Sequence, residues 1–221
     1  VDFVIKGEGY IPTVDLLRKL KKKEDTSAIN GVWCLNDKGE VINNGLAKWT
    51  NNLDELPFVA WDLLPMDKYR AHHWQTWDYD FDQSRFAVIH TSLGCPFSCD
   101  YCSVNVVYQK NMVRYRGVKN VVDEIETLVK EYNITEFHIE DVNPTINEKR
   151  TIEFCNEIIK RKLKINWKIV AGTKVESIKR EETINLMAES GCKYIAIAPE
   201  SGSTRIMKAM GKPFNIDHAY K

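Results

Sequence analysis

No apolar run in this 221-residue sequence approaches the length needed to cross a bilayer, so no membrane span is predicted. Charge of one sign is also missing. Lys plus Arg and Asp plus Glu each number 31, and the formal net charge is zero. That balance argues against a general electrostatic grip on nucleic acid or on an anionic membrane, and no nucleic-acid partner is predicted. No signal-peptide pattern opens the chain; Val1-Asp2-Phe3-Val4-Ile5 reads as a buried strand instead. The six cysteines are not spread as a disulfide framework would be, and none stands in a second C-x2-C pair. Three of them crowd into eight residues, with no small loop-rich domain around them, which fits a reduced, cytoplasmic setting.

What is present is enough apolar residue, 43%, to bury a sizeable core. Length alone predicts one large domain, or one domain and a smaller piece. Because Val1 opens within a strand and Phe214–Lys221 reads as the cut-off start of a helix, the chain is expected to be a fragment of a larger protein.

The first 29 residues predict a strand, a Gly7-Glu8-Gly9 turn, and a helix with Val14, Leu16, Leu17 and Leu20 as its apolar positions. Gly31–Leu35 and Glu40–Ile42 flank Asn36-Asp37-Lys38-Gly39, the pattern of a β-hairpin. From Asn51 to about Gln83 the periodicity is lost. The stretch is too apolar for a free linker. Trp61, Leu63, Leu64, Tyr69, Trp74 and Trp77 are expected to lie along the face of the domain that follows, and His72 and His73 are assigned no ligand role.

From Arg85 a βα rhythm begins. Strands are predicted at Phe86–Thr91, Glu136–Ile139, Asn166–Val170 and Tyr194–Ala198. Between them lie helices over about Val118–Tyr132, Asn147–Leu163 and Arg180–Ser190, and a fourth starts near Ser203. The first helix carries a stripe of Val118, Val121, Val122, Ile125, Leu128, Val129 and Tyr132. In the second, Ile152, Cys155, Ile158 and Ile159 are expected inward. Gly191 is the expected C-terminal cap of the third. Four βα units predict an α/β fold with parallel strands in a barrel or open sheet, where chemistry gathers at the C-terminal strand ends.

At the end of the first of these strands stands Cys95-Pro96-Phe97-Ser98-Cys99-Asp100-Tyr101-Cys102, a C-x3-C-x2-C loop. Three thiolates in one tight loop are a ligand set for a metal or a cluster. A structural zinc normally takes four ligands. The candidates for a fourth are poor: His90 is awkwardly placed on the strand, Cys155 reads as core, Cys34 belongs to the hairpin and Cys192 begins the fourth strand. A disulfide between such close neighbours is strained. The sharper reading is a cluster with one iron left open.

This loop, with Tyr101 just before its last cysteine and a βα series around it, resembles the radical S-adenosylmethionine (radical SAM) superfamily. Further segments resemble the subgroup that carries an N-terminal cobalamin (B12)-binding domain. They are Arg114-Tyr115-Arg116-Gly117 with Val121–Ile125, Glu140–Asn147 and Glu200-Ser201-Gly202-Ser203. Upstream, Val1–Gly9 is similar to the last strand and turn of a cobalamin domain, and Leu53–Phe58 and Leu63–Tyr69 to a connector.

The resemblance implies a radical SAM barrel of which about four of six βα units are present. It places a cobalamin-domain remnant at residues 1–29, hairpin and linker at 30–84, and the core at 85–221, truncated at its C-terminal end. It further implies that Cys95, Cys99 and Cys102 each bind one iron of a 4Fe–4S cluster, whose fourth iron is chelated by S-adenosylmethionine. Reductive cleavage then gives methionine and a 5′-deoxyadenosyl radical. Implied with these are cobalamin, an electron donor such as flavodoxin or ferredoxin, and a small-molecule substrate that is methylated, cyclised or rearranged. The fragment alone is expected to be inactive on substrate. A methylthiotransferase-like radical SAM enzyme is an alternative; a structural zinc module is the alternative from another class.

For S-adenosylmethionine, the candidate contacts are Tyr101, Glu140, Asp141, Lys174, Glu200, Ser201 and Gly202. Each has a plainer reading. Tyr101 can be core packing, and Glu140 and Asp141 can form an Asx-type turn capping the next helix. Lys174 can be solvated, and Ser201 or Ser203 can be an N-cap. Gly202 permits close backbone approach. The Gly-Gly-Glu-like element common in the family after the second strand is replaced here by Glu140-Asp141-Val142-Asn143.

Overall fold

The computed structural model describes residues 2–70, 85–108, 112–212 and 214–219; His72, His73, Trp74 and Trp77 lie outside them. A four-stranded parallel sheet holds the C-terminal part together. Its strands are β4 (Phe86–Ile89), β7 (Glu136–Ile139), β8 (Asn166–Thr173) and β9 (Cys192–Ile197), adjacent in chain order. Helices α3 (Val118–Tyr132), α4 (Glu148–Lys160) and α5 (Glu181–Glu189) connect them. The parallel α/β architecture is the one the βα rhythm predicts.

The core explains why. On α3, Val121, Val122, Ile125 and Leu128 are fully buried, with Val118, Val129 and Tyr132 partly so. They pack against Phe137 and Ile139 of β7 and Ile169 of β8. Each such side chain contributes about 1.5–3 kcal/mol relative to exposure. In α4 the stripe is rotated from the predicted one. Thr151, Phe154, Cys155 and Ile158 are buried, while Ile152 and Ile159 are intermediate. Phe154 meets Trp167 edge-on, with centroids 5.5 Å apart, and this contact fixes the face that turns inward. Gly191 follows the end of α5 in the left-handed region, as its capping role requires.

The N-terminal part is an antiparallel sheet of β1 (Phe3–Ile5), β2 (Val32–Leu35) and β3 (Val41–Ile42), with α1 (Tyr10–Lys22) across it. The hairpin forms as predicted, and β2 also pairs with β1, Ile5 facing Val32. The sheet therefore crosses residue 30, where the sequence reading divides the chain. Of the four predicted inward positions on α1 only Leu16 is buried; Val14, Leu17 and Leu20 are exposed. The sheet is small, so one turn of helix suffices to cover Ile29, Val32, Phe3 and Ile5.

The described part of the aromatic stretch, up to residue 70, forms 3-10 turns at Leu53–Glu55, Trp61–Leu63 and Met66–Lys68. Trp61 and Met66 join the main core, and Tyr69 sits edge-on to Phe86. Leu63 is 78% exposed and Leu64 is exposed too, contrary to the expectation that they lie against the domain. Polar groups add to that hold: Glu124 of α3 accepts from Trp61 Nε1 at 2.9 Å and from the Val59 amide at 3.3 Å.

Candidate functional site

The first strand stops earlier than predicted, and this shapes the site. After β4 the chain turns and enters a two-stranded antiparallel hairpin, β5 (Ser92–Cys95) with β6 (Met112–Tyr115). Asp141 fixes the turn: its buried carboxylate accepts from the Thr91 amide, Thr91 Oγ1 and Ser92 Oγ, each at 2.6 Å. Gly94 lets the hairpin close. Its φ is +98°, and a Cβ there would lie 2.2 Å from the Met112 carbonyl oxygen. From the other side β6 is anchored by Arg114, whose guanidinium pairs with Glu8 at 2.5 Å and donates to the Thr50 carbonyl; both charged side chains are buried. Cys95 ends β5, and a short helix α2 (Val104–Val107) follows the loop.

The three loop cysteines line one cavity of about 230 Å³ at the C-terminal ends of β7, β8 and β9. Its other walls include Phe97, Tyr101, Asn143, Lys174, Glu200 and Lys212, with Ala171, Gly172 and Ala198 among the small residues at the strand ends. All six cysteines carry free thiols. Burial pushes the Cys95 thiol up; a Phe97 backbone hydrogen bond opposes this, and the neighbouring Cys99 and Cys102 reinforce it. Burial likewise raises Cys99, against the pull of Lys212. Cys155 and Cys192 do not line the cavity, and burial pushes their thiols up to about 11 and about 12. His90 is exposed, and its carbonyl accepts from Arg116.

Among the described residues, no three Cys, His, Asp or Glu side chains form a ligand group for a single ion. A tetrahedral zinc with Zn–S near 2.3 Å would draw its sulfurs to within about 3.8 Å of one another. A cluster does not ask this, because each thiolate takes its own iron. Three thiols around a cavity, with no fourth thiol or imidazole among the described residues of its wall, fit a cluster with one open iron better than a closed zinc site.

The remaining predicted residues divide by position. Tyr101, Lys174 and Glu200 line the cavity. Lys174 lies over the Phe97 ring at 4.4 Å, and its backbone amide approaches Asn143 Oδ1. Glu200 pairs with Lys212 at 2.6 Å; that hydrogen bond holds its carboxyl below the usual range. Burial and the hydrogen bond to Glu200 raise the Tyr101 phenol. Glu140, Asp141, Ser201 and Gly202 are outside the cavity wall. Asp141 is committed to the β4–β5 turn. Ser201 Oγ accepts from the Ser203 amide, and Ser203 in turn N-caps α6 (Thr204–Ala209). A Cβ on Gly202 would meet nothing within 4 Å.

Asn143, Phe97 and Lys212 were missed by the sequence reading. Asn143 is buried and accepts from Thr173 Oγ1 at 2.8 Å, inside a chain of hydroxyls with Thr145 and Ser177. Lys212 had a usable signal, a Gly-Lys pair just past a short helix.

With this site in place, comparison with known proteins is informative. The model of the radical SAM superfamily matches residues 89–221, and the chain belongs to that superfamily. An uncharacterized methyltransferase of Pyrococcus horikoshii is 35% identical over 96% of this chain and 43% of its own length. An anaerobic magnesium-protoporphyrin IX monomethyl ester cyclase of Rubrivivax gelatinosus is 29% identical over 98% of this chain and 38% of its own. The cobalamin-dependent S-adenosylmethionine radical enzyme OxsB, solved with aqua-cobalamin and S-adenosylmethionine, shares the fold. Its TM-score is 0.76 at 23% identity, covering 98% of this chain and 30% of that one. The chain thus spans about two fifths of the length of the two curated relatives.

Proposed function

We propose that this chain contains the S-adenosylmethionine-cleaving core of a cobalamin-linked radical enzyme that methylates, cyclises or rearranges a small molecule. The observation that carries the reading is the ring of three free thiols around one cavity at the strand ends, with no fourth thiol or imidazole among the described residues of its wall. Cys95, Cys99 and Cys102 would hold a 4Fe–4S cluster, which with S-adenosylmethionine on its open iron supplies a 5′-deoxyadenosyl radical.

The chain's own groups then have separable tasks. The Lys174 ammonium, parked on Phe97, is the candidate partner for the ligand's carboxylate. Glu200 offers carboxylate oxygens to ribose hydroxyls, and Tyr101 covers the rim. Asp141 and Arg114 hold the hairpin that presents Cys95. In this reading residues 85–221 are the radical SAM core, and residues 1–29 derive from a cobalamin-type domain. The free thiols suit a reducing cytoplasm, with flavodoxin or ferredoxin as electron donor. No helix among the described residues is long and apolar enough to cross a membrane.

The test is anaerobic reconstitution followed by dithionite and S-adenosylmethionine. The expected product is 5′-deoxyadenosine, lost in each of C95A, C99A and C102A. A colourless protein with one zinc per chain and no sulfide would sink the reading.

A further inference from the structure

Lys212 reaches the cavity by a specific local route. Helix α6 closes in a left-handed turn. The Gly211 amide donates to the Lys208 carbonyl at 3.1 Å, and the Lys212 amide to the Met207 carbonyl at 3.0 Å. Gly211 has φ +66°, and a Cβ on it would stand 3.3 Å from the Ser98 carbonyl oxygen, close beside Asp100. The turn therefore sits directly on the cysteine loop. The Asp100 amide, between Cys99 and Tyr101, donates to the Met210 carbonyl at 3.1 Å. From this turn the Lys212 ammonium meets Glu200 at 2.6 Å, and both residues line the cavity with Tyr101. Glu200 itself holds a left-handed φ of 65°, uncommon for a residue with a side chain. The ion pair closes the α6 connection on itself, and the Asp100–Met210 hydrogen bond joins that connection to the cysteine loop, more than a hundred residues away in the chain.

We propose that Lys212 is a positioning residue. Its ion pair with Glu200 fixes the α6 turn that rests on the cysteine loop, and its charge, in the wall that the three cysteines line, sets how readily the cluster accepts an electron. The inference rests on the cluster reading above. Its sign follows from electrostatics, since cluster potential depends on nearby charge and hydrogen bonding. A cation at the thiol ring favours the reduced cluster, and an anion disfavours it.

The experiment compares K212M, K212R and E200Q with the wild-type chain. Titration of the reconstituted cluster with dithionite and redox mediators, followed by EPR, reads the one-electron equilibrium. K212M is expected to shift it about tenfold toward the oxidised cluster, about 59 mV for one electron. E200Q is expected to shift it the other way, and K212R to stay near wild type. Backbone hydrogen exchange across residues 97–103 of the cluster-free chain is expected to rise several-fold in both K212M and E200Q, with α3 and β7 unchanged. A role in packing alone would move both potentials in the same direction. That result, or unchanged exchange at the cysteine loop, overturns the proposal. If the wild-type chain forms no cluster, the functional reading fails on its own terms, and exchange at residues 97–103 still decides the positioning role.

Discussion

Replacing Asp141 distinguishes a ligand contact from a structural brace. Its carboxylate is 1% exposed and accepts three hydrogen bonds at 2.6 Å, one from a backbone amide and two from hydroxyls. Arg150 closes the same turn from the other side, donating to Thr91 Oγ1 at 3.0 Å and to the Thr91 carbonyl at 3.1 Å. Hydrogen bonds to a charged group contribute about 1.5–3 kcal/mol each. Removing one member of a buried charged network costs about 3–5 kcal/mol, because the groups left behind are desolvated and unpaired. D141A is therefore expected to lose about 3–5 kcal/mol. For a chain of this size that is a fall in Tm of about 6–20 °C. D141N keeps one acceptor oxygen and is expected to lose about half as much. Thermal unfolding by circular dichroism, with hydrogen exchange at residues 91–95, makes the measurement. A loss below about 1 kcal/mol in D141A would refute the brace. So would a D141N that melts like wild type yet no longer binds S-adenosylmethionine.

Three further outcomes follow from the same geometry. G94A places a methyl group against the Met112 carbonyl at an unfavourable φ, and should cost about 1–3 kcal/mol and release iron from the reconstituted protein faster in a chelator assay. E8Q breaks the buried Glu8–Arg114 pair and should cost about 3–5 kcal/mol by denaturant titration, with the double variant E8Q/R114M less destabilised than the sum of the singles. The third concerns Arg161, which ties α4 to α3 through Asp123, Glu126 and Glu157. Hydrogen bonds hold two of these carboxyls below the usual range, Glu126 chiefly through Lys130 and Glu157 chiefly through Arg161. Depressed carboxyls stabilise fully above the unfolded value near pH 4.5, and that contribution is lost as pH falls through the folded value. R161M should flatten the decline in Tm below pH 4.5 and leave its slope at neutral pH unchanged.

Much of this was legible in the residues. The α3 stripe and the short apolar runs of β7, β8 and β9 carry the parallel sheet, because period and length agree at every step. The three cysteines identify themselves by spacing. What was hidden depends on distant partners. Strand β6 has only four residues, and its pairing with β5 is set by Gly94, Asp141 and Arg114, which lie far apart in sequence. The exposed face of α1 reflects how small a sheet it covers. Asp141 reads as a ligand when only its position after β7 is known, and as a brace once Thr91 and Ser92 are seen beneath it. Lys212 enters the site only because a turn at Gly211 folds back onto Ser98.

In the proposed function the three thiolates hold a cluster with an iron left open for S-adenosylmethionine. EPR of the dithionite-reduced, reconstituted chain, before and after adding S-adenosylmethionine, tests it most directly. A reduced-cluster signal whose shape changes when S-adenosylmethionine binds is expected. A chain that binds zinc and gives no such signal, or a cluster signal indifferent to S-adenosylmethionine, would contradict it.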